Sequence, residues 1–502
     1  MSVPEKRTAV VDLGSNSFRM VVFTAGDGWW KRTDEIHEAV RIGEGADETG
    51  RLGDEPMARA LTAIEVFAHF ASATGLKTVD AVATSAIRGA ENQKAFLRKA
   101  SKHLEVRVLG EEQEARYGYL AAVNSTSLVD GVVLDLGGGS LQLVRVKRRR
   151  ARHLRSWPLG AVRMTERFLP GKGPASKKEL KALRAHVASE LEAAPWLAKG
   201  DGRIVGIGGT MRNLAVAAQI AAGVPTFGVQ GFLLGRDALD DLVARLADLP
   251  AAERAKVPGI KAARADLILA GATVIQTVLR EGGLDAIEVT EAGLREGAFF
   301  ERHLAPSGLF GDVRGASVRN LATQYSGDEL VHVEHVAELA LGMFDDLVRA
   351  GAHAGKRSER ELLWAAAMLH DIGVAVDYDD HHKHSKYLIL NAGLPGYTQR
   401  EIGLVAQIAR YHRKGTPALD DIEPLAVKGD EGVVARCATL LRLAEQLERS
   451  RDQIVRGAHL AVEDGRAELL LEGDGDVALA RWSAQRTDEL FERTFGKALA
   501  VR

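Results

Sequence analysis

The chain has 502 residues, 46% hydrophobic and 27% charged, with a formal net charge of −2. That length predicts two or three domains, the apolar fraction supports large cores, and the near-neutral balance argues against a dedicated nucleic-acid binder. The single cysteine, Cys437, excludes an intrachain disulfide and reads as a small apolar core residue in a reducing compartment. MSVPEKRTAVV lacks the long apolar run of a signal peptide, and the most apolar stretch, LAVAAQIAAGV, is too short to span a bilayer. A cytoplasmic protein without membrane or nucleic-acid partners is the expectation.

In chain order the first feature is AVVDLGSNSFRMVVF, from Ala9 to Phe23. It reads as an apolar strand, a turn at Asp12-Leu13-Gly14 with small polar residues, and a second apolar strand. A third strand is predicted around Glu38 to Ile42. Met57, Leu61, Ile64, Phe67 and Ala71 then recur at helical spacing. The strand DAVATSA, a helix near Asn92 to Lys102, the strand EVRVLG and a helix holding Glu114 to Asn124 follow. NSTSLVDG, from Asn124 to Gly131, reads as a boundary.

Beyond it the grammar repeats. VLDLGGGSLQLV places Asp135-Leu136-Gly137-Gly138 in line with Asp12-Leu13-Gly14-Ser15, at an offset of 123 residues. Strands LQLVRVK and ARHLRSWPLG, then helices, then strand RIVGIG running into the helix GTMRNLAVAA complete a second β-β-β-α-β-α unit. KRRRARHLR, from Lys147 to Arg155, reads as a basic surface hairpin. HLAPSGLFGDVRG, from His303 to Gly315, is linker-like. After it the pattern is nearly all helix until AHLAVEDGRAELLLEG, which reads as a hairpin. The predicted domains are 1–124, 125–305 and 306–502: two α/β lobes facing a cleft, then a helical domain with a short terminal β/helical extension.

Glycine loses more backbone entropy on folding than any other residue, so three in a row after a carboxylate demand a reason. One such loop alone is better explained by a tight hairpin. Two of them, plus Gly206-Ile207-Gly208-Gly209-Thr210 at a strand-to-helix junction, point to a phosphate cleft. Bare N–H groups would meet phosphate oxygens while Asp12 and Asp135 hold magnesium.

VVDLGSNSFRMVV, ATSAIRGAEN, VLGEEQEARYGYLAA, VLDLGGGSLQLV, PLGAVRMTERF and GIGGT stand in the order and spacing of the exopolyphosphatase / guanosine pentaphosphate phosphohydrolase family. The chain resembles that family over residues 8–300. The resemblance implies two ribonuclease H-like lobes of the superfamily that unites sugar kinases, heat-shock chaperones and actin. It also implies that Glu114 is the catalytic base, with Glu111 and Glu112 as solvated neighbours. Arg88 would neutralise transition-state charge, with Asn92 a weaker candidate in the same loop. Ser15, Asn16, Ser17, Gly137, Gly138, Gly139, Ser140, Gly208, Gly209 and Thr210 would cradle phosphates, and Asp135 and Asp12 would hold the metal. The implied cofactor is Mg2+, with Mn2+ able to substitute and K+ stimulating, and the implied assembly is a homodimer.

The expected activity is release of terminal orthophosphate from inorganic polyphosphate. The alternative is cleavage of guanosine pentaphosphate to the tetraphosphate. A kinase on the same fold is disfavoured because no acceptor pocket is legible, and a non-catalytic sensor because Glu114 and Asp135 are intact. The tail resembles the HD-like domain of the family's longer members. His332, His370 and Asp371 match that motif, but Glu448 stands where many relatives have Asp, so the expectation is a structural remnant. His381, His382, Lys383, His384 and Lys386, with Arg410, His412, Arg413 and Lys414, would extend a positive track for a polyanion.

Overall fold

Strands β1 (Lys6–Leu13) and β2 (Phe18–Gly26) flank the first glycine loop, which is too short for anything but an antiparallel turn. The helix Asp54–Ala73 provides the crossover that lets β4 (Thr78–Ala83) lie parallel to β1. With β3 (Trp29–Glu38) and β5 (Val106–Val108) the sheet runs β3-β2-β1-β4-β5. The third strand therefore lies earlier than the predicted Glu38 to Ile42. Its sequence, WWKRTDEIHE, is charged and mostly exposed because it is an edge strand paired only to β2. Val40 and Ile42 are buried, but in the loop that follows.

The second sheet repeats the plan. Strands β6 (Gly131–Leu136), β7 (Leu141–Lys147), β8 (Arg150–Trp157), β9 (Ile204–Ile207), β10 (Phe232–Gly235) and β11 (Ala286–Val289) run in the order β10-β11-β9-β6-β7-β8. β6 and β7 are antiparallel around the second glycine loop, and β9 joins β6 in parallel. At the β7–β8 turn, Arg148 and Arg149 both take positive φ, 49° and 60°. That turn geometry suits the twist of a tight hairpin, so the basic hairpin is where the sequence puts it.

Between the sheets lies the helix Glu111–Ser125, crossed by Leu294–His303. The backbones meet because Gly297 has no side chain where the Tyr117 carbonyl sits. Val10, Val21 and Phe23 of the first sheet, Val133, Val205 and Ile207 of the second, and Leu120 and Phe299 of the helices form one core. Each such side chain contributes on the order of 1.5–3 kcal/mol by leaving water. The predicted boundary at 124 lies at the C-terminal end of a buried helix that packs on both sheets.

Residues 5–198, 202–463 and 465–502 are described in this computed structural model. The chain divides into two units, Met1–Val313 and Arg314–Arg502. The second is built on helices that include Leu330–Arg349, Arg357–Leu369, His381–Ala392, Gln399–Arg410 and Asp430–Leu447. Thr398 and Glu401 form a capping box that starts Gln399–Arg410, and Glu401 also holds Arg314. Strands β12 (Val455–Glu463), β13 (Arg466–Gly473) and β14 (Ala498–Val501) close this unit as a small sheet. Among the described residues no helix is long and apolar enough to cross a membrane.

Candidate active site

Asp12 and Asp135 occupy matching places one residue before the ends of β1 and β6. In α/β sheets ligands collect beyond the carboxyl ends of the strands, and both carboxylates sit there. The two glycine loops pack against each other. A Cβ on Gly138 would lie 3.0 Å from the Ser15 Cβ, and one on Gly139 would lie 2.9 Å from the Ser15 Oγ. Gly208 takes a φ of 107°, which L side chains rarely adopt.

Together the loops enclose a cavity of about 130 Å3 lined by Asp12, Glu114 and Asp135. Ser15, Asn16, Ser17, Gly137, Gly138, Ser140, Gly208 and Gly209 also line it, while Gly139 lies behind, against Ser85. Thr210 does not reach the cavity. It begins the helix Gly209–Ala221, is 2% exposed, and packs on Gly271. Asn92 is also elsewhere: its amide exchanges two hydrogen bonds, each 2.9 Å, with the Leu52 backbone and pins that loop.

Glu114 lies in the first turn of its helix and is buried, whereas Glu111 and Glu112 are exposed. Arg88 donates to Glu114 Oε2 at 2.7 Å and to the Leu109 carbonyl at 2.9 Å. Ser140 Oγ donates to Glu114 Oε1 at 3.4 Å and itself accepts from Gln142 at 2.8 Å. Arg88 therefore acts on the Glu114 carboxylate and does not line the cavity. Burial raises Glu114 above the usual glutamate range, and Arg88 and Ser140 oppose that rise.

The other two carboxylates are also displaced. Burial, then Glu114 and Asp12 nearby, push Asp135 up to about 7. Burial raises Asp12 as well, against the pull of Arg295, whose Nη1 is 3.4 Å from Asp12 Oδ2. Three acids sharing one small space repel each other unless protonated or bridged by a cation. Gly118 lets Asp135 lie close against the helix, since a Cβ there would meet Asp135 Oδ2 at 3.1 Å. Oxygen-only donors of this kind suit a hard cation such as magnesium.

Four arginines line the same cavity: Arg19, Arg212, Arg264 and Arg295. Sequence reasoning did not single them out. Burial lowers Arg212 and Arg264 to about 10, and neither is within ion-pair distance of a carboxylate among the described residues. Arg264 lies flat on Gly209, with its Nε 2.9 Å from where a Cβ would stand. Arg212 is held by the Glu291 carbonyl at 2.8 Å. Buried cations without anionic partners mark a place for an anion. Arg19 sits within the first loop motif and Arg212 two residues past GIGGT, so a search for cations flanking each loop would have found them. Arg264 and Arg295 come from distant segments and carry no local signal.

In the second unit the predicted positive track divides. His381, His382 and His412 are 5%, 0% and 1% exposed, so they do not present charge to a polyanion. Burial holds His382 near 4 and His412 near 3, which leaves both rings neutral. His384, Lys386 and Arg410 are half-buried, and Lys386 is tied to Asp421 at 2.6 Å. Lys383 and Lys414 are exposed and share Asp380, at 2.6 and 3.2 Å. Arg413 and Lys414 instead line a cavity of about 460 Å3 with Arg442, Arg449, Arg486 and Trp482.

The predicted acidic member of the HD-like set is also displaced. Glu445, three residues before Glu448, is the carboxylate that joins His332, His370 and Asp371. Glu448 accepts from the Gln453 backbone at 3.2 Å and shapes the loop after the helix. Burial acts to lower His332, but Glu445 and Glu448 outweigh it and push the ring up to about 9.

The sequence matches the Ppx/GppA phosphatase family over residues 21–305 and domain III of that family over residues 313–481. Similar solved structures include the Aquifex aeolicus member of the Ppx/GppA family, 30% identical with a TM-score of 0.51 over 60% of this chain and 98% of that one. An exopolyphosphatase-like protein is 26% identical, TM-score 0.55, covering 60% of this chain and 99% of its own. An exopolyphosphatase from Cytophaga hutchinsonii, 22% identical, has a TM-score of 0.56 over 61% of this chain and 99% of that one and shares the fold.

Proposed function

Because the chain belongs to the Ppx/GppA phosphatase family, we infer that its cleft releases terminal orthophosphate from inorganic polyphosphate with magnesium as cofactor. The observation that carries this reading is the pairing, in one small cavity, of three carboxylates with four arginines and three glycine-bearing loops. Among the described residues no aromatic ring lines that cavity, so none there would stack a nucleobase. The group being recognised is phosphate itself.

Hydrolysis needs a water oxygen in line with the terminal phosphorus and a group to take its proton. Glu114 is placed for this. It is buried, raised in basicity, and fixed by Arg88 and Ser140, so its carboxylate points one way. The proton passes to Glu114 as the P–O bond to the chain breaks, and the shortened chain leaves carrying the bridging oxygen. Arg19, Arg212, Arg264 and Arg295, with the loop amides, hold the phosphoryl oxygens as charge shifts among them. Asp12 and Asp135 would hold magnesium, whose charge, when bound, neutralises those oxygens. In the second unit, the cavity around Arg413, Lys414, Arg442, Arg449 and Arg486 would give long chains an additional cationic contact.

The test is phosphate release from long polyphosphate, tripolyphosphate, guanosine pentaphosphate and ATP at matched terminal-group concentration. The reading predicts long polyphosphate as the best substrate, dependence on magnesium, and ATP as the poorest. Faster release from pentaphosphate than from polyphosphate would overturn it.

A further inference from the structure

Six side chains of the second unit converge away from water: His332, His370, Asp371, His381, His412 and Glu445. They fall into two overlapping groups that share Asp371. None belongs to the cleft.

Ring orientation decides what the cluster can hold. His370 Nδ1 lies 2.6 Å from the Ala367 carbonyl, His381 Nδ1 2.9 Å from the Tyr378 carbonyl, and His412 Nδ1 2.7 Å from the Ala409 carbonyl. A carbonyl only accepts, so each Nδ1 carries a proton, and in the neutral ring each Nε2 turns a lone pair inward. His381 Nε2 and His412 Nε2 then face each other at 3.1 Å, lone pair to lone pair. Both also face Asp371 Oδ1, at 3.3 and 3.6 Å, another acceptor. Asp371 Oδ1 and both ring nitrogens of His332 have no hydrogen-bond partner. Around Asp371 Oδ1 the facing atoms are acceptors, buried and short of a positive charge, while His370 Nε2 and Glu445 Oε2 lie 3.1 Å apart.

The spacing fits coordination. Two donors held at about 2.1 Å by one ion stand about 3.0 Å apart on an octahedral edge and about 3.4 Å on a tetrahedral one. Glu445 Oε2 is 3.3 Å from His332 Nε2 and 3.1 Å from His370 Nε2. Backbone carbonyls on the outer ring nitrogens are the usual support for metal-binding histidines. Arg451 donates to Asp371 Oδ2 at 2.8 Å and orients that carboxylate in the same way.

We propose that this cluster is a two-cation centre for divalent first-row transition metals, with His332, His370 and Glu445 on one ion, His381 and His412 on the other, and Asp371 shared. Four imidazoles and two carboxylates select zinc, iron, manganese or cobalt over magnesium and calcium, which prefer oxygen alone. The centre is separate from the magnesium chemistry of the cleft and differs from it in the kind of ion it takes.

The test is the metal content of the full-length chain, purified without chelator or an immobilised-metal column and measured by plasma mass spectrometry. About two transition-metal equivalents per chain are expected. The chelator-stripped chain, titrated with cobalt(II), should develop visible ligand-field bands that saturate at the same stoichiometry. His412→Gln should remove one equivalent, and Glu445→Gln should weaken the other by at least about tenfold. Circular dichroism of each stripped variant against the stripped wild type separates loss of ligand from loss of fold. A folded wild-type chain that takes up no more cobalt than a chain carrying both His412→Gln and Glu445→Gln would overturn the centre. A single equivalent, unaffected by His412→Gln, would overturn the sharing of Asp371.

Discussion

The cleft of the first unit and the histidine cluster of the second both hold charged groups away from water, by opposite means. In the cleft the donors are oxygens, set at strand ends by glycine loops and faced by four arginines. In the cluster the donors are mainly imidazole nitrogens, aimed inward by backbone carbonyls three residues earlier in the chain. The cleft has two buried cations, Arg212 and Arg264, without anionic partners among the described residues, which suits an incoming anion. The cluster has buried lone pairs facing lone pairs and so is made for an incoming cation. What is left unsatisfied, rather than what is present, tells the two apart.

The largest effect that would sharpen this contrast is at Glu114. Glu114→Gln keeps shape but cannot accept a proton, and turnover on polyphosphate should fall roughly 10²–10⁴-fold with substrate binding retained. Near-normal turnover would remove the base from the account. Next comes Asp135→Asn, which should lower activity and raise the magnesium needed for half-maximal rate, because an amide is a poorer ligand for a hard cation. The same variant tests the acid repulsion. Asp135 rises from 3.8 to about 7 on folding, so in metal-free protein its stabilising share is full below about pH 4 and lost as pH rises through 7. Above pH 7 the metal-free variant should therefore be more stable than wild type, by about 1–3 kcal/mol. Equal or lower stability there would mean the carboxylates are not crowded.

Smaller is the effect of Arg88→Gln. Arg88 lowers a carboxyl that burial has raised, so its loss should move the acid limb of the pH–rate profile to higher pH. An unshifted limb with reduced turnover would make Arg88 a transition-state contact instead of a positioning residue. Smallest is the basic cavity of the second unit. Neutralising Arg449 and Arg486 together should weaken long-chain binding a few-fold and flatten its salt dependence, leaving tripolyphosphate unchanged. Equal losses on short and long substrates would contradict that division of labour.

The cleft was largely legible because its parts are contiguous. A strand, a carboxylate and a glycine loop fit in a dozen residues, and the loop around Asp12 returns at Asp135. The third strand was misplaced because Trp29–Glu38 is an edge with no buried face, while apolar Val40 and Ile42 mark a loop. Arg264 and Arg295 enter the cleft from segments with no local pattern to betray them. In the second unit, burial inverted the reading. A run of histidines and lysines suggests a charged face, yet on the helix His381–Ala392 the rings of His381 and His382 turn inward while Lys383 turns out. Glu445 and Glu448, one turn apart on the same helix, compete for one role, and only the packed structure separates them.

The central claim is that the cleft acts on a free terminal phosphate. It is tested most directly by comparing orthophosphate release from long polyphosphate with free ends and from the same chains capped at both ends as phosphoramidates, in magnesium. The account predicts release one unit at a time from the free-ended chains and at least about a hundredfold slower release from the capped ones, since the amidate replaces one of the terminal charged oxygens that the arginines and loop amides are set to hold. Equal rates on both, or cleavage of the capped chains at internal bonds, would contradict it.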